Sequence, residues 1–151
     1  MAKVFLGLGT NLGNKEENLN DAIKYINERV GSINSLSAFY VTEPWGFKSD
    51  YSFLNAVCSI NSDKSPMQIL QITKEIEKEM GRSKKSLDRV YSDRIIDIDI
   101  LLYDDLIFEN EELTIPHPLM TERDFVIIPL VEIAPELIHP ILKKKMKELL
   151  K

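Results

Sequence analysis

Apolar and polar positions alternate with a period of two near the start of the chain, where Val4, Leu6 and Leu8 fall on one face of a strand and Phe5, Gly7 and Gly9 on the other. Two glycines on one face leave room for a ligand or for close backbone packing. Gly9-Thr-Asn-Leu-Gly13 then turns the chain. Asn14 followed by Glu17 predicts a helix start, and Leu19, Ala22, Ile23, Ile26 and Val30 recur at helical spacing until Gly31. Residues 33–43 and 51–61 read as two further strands, joined by the aromatic loop Glu43-Pro44-Trp45-Gly-Phe-Lys-Ser-Asp50. In the second, Leu54, Ala56, Cys58 and Ile60 share one face, and Phe53, Asn55 and Val57 the other. Ser65-Pro66 with Gln68 opens a second helix that turns Ile69, Ile72, Ile76 and Met80 inward, stops at Gly81, and leaves Glu75, Glu77 and Glu79 on what looks like a solvated face. A fourth strand follows over Arg94–Tyr103, with Asp97 and Asp99 on one face and Ile96, Ile98, Ile100 and Leu102 on the other. Leu142, Met146, Leu149 and Leu150 among lysines predict a terminal surface helix over Lys143–Lys151.

The order strand, helix, strand, strand, helix, strand gives a split β-α-β arrangement, an α+β ferredoxin-like sandwich with both helices on one sheet face. Strand parity then places Gly7, Gly9, Phe53, Asn55, Asp97 and Asp99 together on the uncovered face. A chain of 151 residues, 44% hydrophobic, suits one domain over 1–151. No stretch is long and apolar enough to span a bilayer, and the first residues already read as a strand rather than a leader, so a cytoplasmic location is expected. The formal net charge of −5 argues against general nucleic-acid affinity. The single cysteine, Cys58, reads as a small core side chain. Small-molecule partners and a monomer are expected.

Candidate chemistry centres on Asp97 and Asp99. Two carboxylates about 6 Å apart at an effective dielectric of about 20 repel by roughly 3 kcal/mol. A bound cation turns that repulsion to use, and carboxylate plus phosphate oxygens suit magnesium. The preceding Arg82–Arg94 segment carries five basic residues, Arg82, Lys84, Lys85, Arg89 and Arg94, and has little to bury. It is long for a connection and reads as a mobile cationic lid over a polyanion. His117, flanked by prolines in Leu113-Thr-Ile-Pro-His-Pro-Leu119, is as compatible with function as with structure, whereas His139 reads as structural. No phosphate-binding P-loop sequence is present.

With these residues in view, the chain resembles the 6-hydroxymethyl-7,8-dihydropterin pyrophosphokinase family of folate biosynthesis over essentially its full length. The landmarks are Gly9-Thr-Asn-Leu12, Ser37-Ala-Phe-Tyr40, Phe53-Leu-Asn-Ala56, Glu77 with Gly81-Arg82, Arg94-Ile-Ile-Asp-Ile-Asp-Ile100, Leu113-Thr-Ile-Pro-His117 and Pro129-Leu-Val-Glu-Ile-Ala-Pro135. The resemblance implies a fold that binds magnesium-ATP and then the pterin, moving pyrophosphate to the pterin hydroxymethyl group with AMP leaving. It implies that Asp97 and Asp99 hold two magnesium ions and that Arg82 and Arg94 bind the phosphates and stabilise the transition state. Glu77, Ile100, Thr114, His117 and Arg123 would form the nucleotide pocket together with those arginines. Asn55 would bond the pterin edge, Phe53 and Phe125 would sandwich its ring, and the stretch from Thr42 through Pro44 to Trp45 would give backbone contacts. Tyr91 stands where a capping tryptophan is usual, Phe53 where a tyrosine is common, Pro118 where a tyrosine follows the histidine, and Glu112 where an arginine often contacts nucleotide. Two rivals are an RNA-binding module of the same fold, whose open face would stack bases, and a non-catalytic metabolite sensor.

Overall fold

A computed structural model describes residues 1–42, 52–83 and 95–150. Its centre is a five-stranded sheet in which β2 (Ser32–Leu36), β4 (Phe53–Ser62), β1 (Ala2–Thr10) and β5 (Asp97–Tyr103) lie side by side in that order, with β3 (Tyr40–Thr42) also on β4. Every pairing is antiparallel. Helices α1 (Lys15–Arg29) and α2 (Pro66–Ser83) cover one face, which gives the ferredoxin-like α+β sandwich expected from the element order.

Local chemistry explains the helix ends. The Asn14 side chain accepts the Glu17 N–H at 3.0 Å, satisfying a donor that the first turn of α1 leaves free. Ser65 and Gln68 cap α2 reciprocally, at 2.8 and 3.2 Å. Gly31 follows α1 because a Cβ there would lie 2.4 Å from the Asn61 carbonyl oxygen, so only glycine lets the chain pass β4 this closely. Between helices and sheet, Leu19, Ala22 and Ile26 of α1 and Ile69, Ile76 and Met80 of α2 meet Val4, Leu6, Leu8, Ala56, Cys58, Ile60, Ile96, Ile98 and Ile100 in one apolar cluster. Burying a large aliphatic side chain in this way is worth about 1.5–3 kcal/mol. Cys58 is among these residues, and burial pushes its thiol up to about 12, which makes it an inert core group.

The structure corrects the sequence reading in four places. The strand expected over 33–43 is two short strands, β2 and β3, that share the edge of β4 and are separated at Ser37–Phe39. In β5, the register against β1 slips so that Leu6 faces Ile100 while Phe5 faces Leu102. This bulge at Leu101 puts Leu102 on the face of Asp97 and Asp99, not opposite them. The sheet face expected to be uncovered is half covered. There α3 (Asp124–Ile133) and the chain end pack Met120, Val126, Leu130 and Met146 onto Phe5, Val57, Leu101 and Leu102 as a second core. Finally, the tail is no surface helix but a tight turn, with Lys143 at φ 62°, followed by a 3-10 turn over Met146–Leu149. Met146 is fully buried, and Glu136 ties the tail down through Lys145 and Lys147 at 2.9 and 2.8 Å.

Candidate active site

Where the second core stops, the same sheet face opens into a cavity of about 600 Å³ lined by residues of β1, β3, β4, β5 and the start of α3. Strand register builds its floor. Gly9 of the central strand pairs with Asn55 on one side and Asp97 on the other, and Gly7 likewise lies between Val57 and Asp99. Adjacent strands are about 4.8 Å apart, so Asn55 and Asp97 face each other across about 10 Å of floor bearing no side chain. A Cβ at Gly9 would come within 2.8 Å of Asn55 Oδ1, so that glycine is what lets the amide lie over the sheet.

The walls have distinct chemistry. On the β4 side, Asn55 is buried and its Nδ2 donates to Thr42 Oγ1 at 2.9 Å, which fixes the amide orientation and leaves Oδ1 toward Gly9. Phe53 lies beside it, and Phe125 lines the cavity from α3 with the Arg123 guanidinium 5.5 Å from its ring centroid. The opposite wall is acidic. Burial and the neighbouring Asp97 push the Asp99 carboxyl above its ordinary range, while His117, Arg123 and Lys74 pull it back. A half-buried carboxylate held beside another is a site that favours a cation.

A second set of groups follows the outer edge of β5. Glu77, which the sequence placed on a solvated face, is largely buried and accepts the Ile98 N–H at 2.7 Å between the two aspartates. Burial raises its pKa, against the Ile98 bond and Lys74, 3.7 Å away. The short hairpin of β6 (Phe108–Glu109) and β7 (Thr114–Ile115) brings Thr114 alongside, and the His117 N–H bonds the Leu101 carbonyl at 3.0 Å. The Leu119 N–H donates to His117 Nδ1 at 3.1 Å, which places the imidazole proton on Nε2. Burial pushes His117 below its ordinary pKa, against the pull of Asp99. His139, by contrast, accepts two backbone N–H groups of its own turn, from Ile141 and Leu142, as expected of a structural histidine.

Thus the structure brings Thr42, Phe53, Asn55, Asp97, Asp99, Arg123 and Phe125 into one cavity, with Glu77, Thr114 and His117 along the adjoining strand edge. It does not bring the Ile100 side chain there. That side chain is 3% exposed in the main core, because Ile100, like Ile98, precedes the bulge and points at the helices. Pro44, Trp45, Tyr91, Arg94 and most of the basic segment lie outside the described residues, and Arg82 lies in the last turn of α2. Glu122 and Asp124 also line the cavity and were missed, although their alternation with Arg123 and Phe125 marks a short charged run at the start of α3. Among the described residues no cluster of three or more metal-ligating side chains forms, and the pair Asp97–Asp99 suits an ion that takes its other ligands from substrate and water.

Residues 5–135 match the family model described as 7,8-dihydro-6-hydroxymethylpterin-pyrophosphokinase (HPPK). A 2-amino-4-hydroxy-6-hydroxymethyldihydropteridine pyrophosphokinase of Porphyromonas gingivalis is 50% identical over 143 residues, 93% of this chain and 95% of that one. Its namesake from Aquifex aeolicus is 40% identical over 98% of this chain and 90% of its own. Among solved structures, a Plasmodium falciparum HPPK-DHPS mutant with pteroate superposes on 98% of this chain with a TM-score of 0.80 at 18% identity. This chain spans 42% of that longer protein.

Proposed function

This chain belongs to the 7,8-dihydro-6-hydroxymethylpterin-pyrophosphokinase family, and from that membership we propose that it moves pyrophosphate from ATP to the hydroxymethyl group of 6-hydroxymethyl-7,8-dihydropterin, releasing AMP, in folate biosynthesis. It does so as one domain over 1–151, a monomer in the cytoplasm. The observation that carries the reading is the row Asn55–Gly9–Asp97, which sets a pterin-sized amide-and-aromatic wall opposite an acidic one within a single cavity.

Phe53 and Phe125 take the flat pterin ring between them, and the Asn55 amide meets its polar edge with both a donor and an acceptor. The amide is held ready by Thr42, so little ordering is left for the moment of binding. On the other side, Asp97 and Asp99 hold two magnesium ions. When bound, magnesium neutralises charge on the triphosphate oxygens. Arg123 supplies positive charge beside the aspartates, and Arg82 and Arg94 take the phosphates. His117 offers its Nε2 proton to the nucleotide, and Glu77 and Thr114 complete that pocket. Ile100 serves there through its backbone, since alternation along an edge strand turns its N–H outward like that of Ile98. The pterin hydroxyl oxygen forms the new bond to phosphorus and gives its proton to solvent, while the bond from that phosphorus to the bridging oxygen breaks and AMP departs with that oxygen. The chain's part is positioning and charge balance rather than covalent chemistry.

The test is incubation of the protein with magnesium, ATP and the hydroxymethyl dihydropterin. AMP and a diphosphorylated pterin are expected in equal amounts. Release of ADP would identify an ordinary kinase, and nucleotide binding without turnover would identify a sensor.

A further inference from the structure

Two landmark stretches, Ser37-Ala-Phe-Tyr40 and Pro129-Leu-Val-Glu-Ile-Ala-Pro135, contribute no side chain to the cavity, yet they meet each other. Where the edge strand divides, Ser37 is buried and stitched to β4. Its N–H bonds the Val57 carbonyl at 2.9 Å, and its Oγ accepts the Val57 N–H at 3.0 Å and donates to the Ala38 carbonyl at 2.7 Å. Ala38 is thereby turned off the sheet, and its N–H donates to both oxygens of Glu132, 3.1 Å from each. The Tyr40 hydroxyl donates to Glu132 Oε1 at 2.6 Å. One carboxylate therefore ties the start of β3 to the last turn of α3.

Those two elements carry opposite walls of the cavity. Among the described residues β3 is three residues long and pairs with β4 alone, Tyr40 against Asn55 and Thr42 against Phe53, and Thr42 in turn orients the Asn55 amide. α3 begins at Asp124 and presents Phe125 and Val126 to the cavity, while Leu130 anchors its middle in the second core. We propose that Glu132 is a positioning residue for the pterin: by clasping Ala38 and Tyr40 it sets the spacing between the Thr42–Asn55 wall and the Phe125 wall. This rests on the assignment of that cavity to the pterin. Stacking a ring between two aromatic faces tolerates little error in their separation, and a displacement of about 1 Å can lower rates about a hundredfold. The nucleotide groups, Glu77, Thr114 and His117, are attached to β5 and not to this clasp.

The experiment measures pterin and ATP affinities separately, by calorimetry and by steady-state kinetics, in Glu132→Ala, Tyr40→Phe and Glu132→Gln. Glu132→Ala should raise the pterin KM about tenfold, and Tyr40→Phe about threefold, with the ATP affinity within about twofold of the parent. Glu132→Gln should fall between the parent and Glu132→Ala, because its amide oxygen can still accept Tyr40 while its NH2 group replaces an oxygen that lies 3.1 Å from the Ala38 N–H. Unchanged pterin binding in Glu132→Ala and Tyr40→Phe would overturn the proposal, as would equal weakening of both substrates or a Gln variant as impaired as the Ala one. If Glu132→Ala does not fold, Tyr40→Phe and Glu132→Gln carry the test. Pterin binding reads the clasp without turnover, so a parent that binds pterin but releases no AMP counts against the assigned reaction alone.

Discussion

The two faces of the sheet are made from the same strands, yet they are built to different ends. Toward the helices, Val4, Leu6, Leu8, Ala56, Cys58, Ile60, Ile98 and Ile100 fill every row with hydrocarbon. One residue along each strand, on the opposite face, the series runs Phe5, Val57 and Leu102 and then changes to Gly7, Gly9, Asn55, Asp97 and Asp99. Apolar burial on one side and half of the other lets the remaining patch hold groups that burial and mutual repulsion disfavour, Asp99 above all. Stability and chemistry are thus separated across the thickness of one sheet.

If that separation is real, substitutions on the two faces should affect different measurements. The largest effect is expected from Asp97→Asn and Asp99→Asn, each lowering turnover at least about a hundredfold while far-UV circular dichroism stays that of the parent. Parent-like turnover in either would remove that aspartate from the site. Across the sheet, Ile76→Ala should lower stability by about 2–5 kcal/mol in urea titrations, with turnover per folded molecule unchanged. A reduced kcat in the folded fraction would show that the faces communicate. Gly9→Ala is subtler. Its new methyl meets the end of the Asn55 side chain rather than backbone, so the fold should hold while the amide shifts and the pterin KM rises about tenfold, leaving the ATP KM alone.

The smallest effect concerns pH. Asp99 has a folded pKa above its ordinary value of 3.8, so the ligand-free folded state loses stability as pH rises from 3.8 toward that folded pKa, and the loss is complete above it. Asp99→Asn should therefore melt at a higher temperature than the parent at neutral pH. The difference should vanish below 3.8, where the carboxyl is protonated folded or unfolded. Thermal melts across that range check the sign, and a variant less stable than the parent at pH 7 would contradict it.

Strand alternation made most of this legible in advance. Parity alone placed Gly7, Gly9, Phe53, Asn55, Asp97 and Asp99 on one face, and the structure agrees at each position. Helix caps at Asn14 and Ser65 were equally readable. What escaped were features decided by partners distant in sequence. Nothing near Ser37 announces that Glu132 will catch the next N–H, nor does the lysine-rich tail reveal that Met146 will be needed to fill a core under Phe5 and Leu102. Glu77 looked solvated because helical periodicity cannot show that an edge N–H, Ile98's, lies within reach. Glu122 and Asp124 escaped for the same reason, since their place in the cavity depends on where α3 docks.

The slip at Leu101 has a consequence for how this protein can vary. Because both Leu101 and Leu102 turn to the α3 side, the next residue, Tyr103, comes back to the helix side and donates its hydroxyl to the Lys64 carbonyl at 2.7 Å. Deleting a single residue here would remove the bulge and one leucine from beneath α3, while Leu102 would still face Phe5, Tyr103 would still face Val4, and the two aspartates would be aimed as before. The extra residue therefore belongs to the second core alone, an added leucine that neither the phenol's anchor nor the aim of the carboxylates requires, while the turn beyond it is tied separately, Asp104 Oδ1 accepting the Lys3 N–H at 2.8 Å.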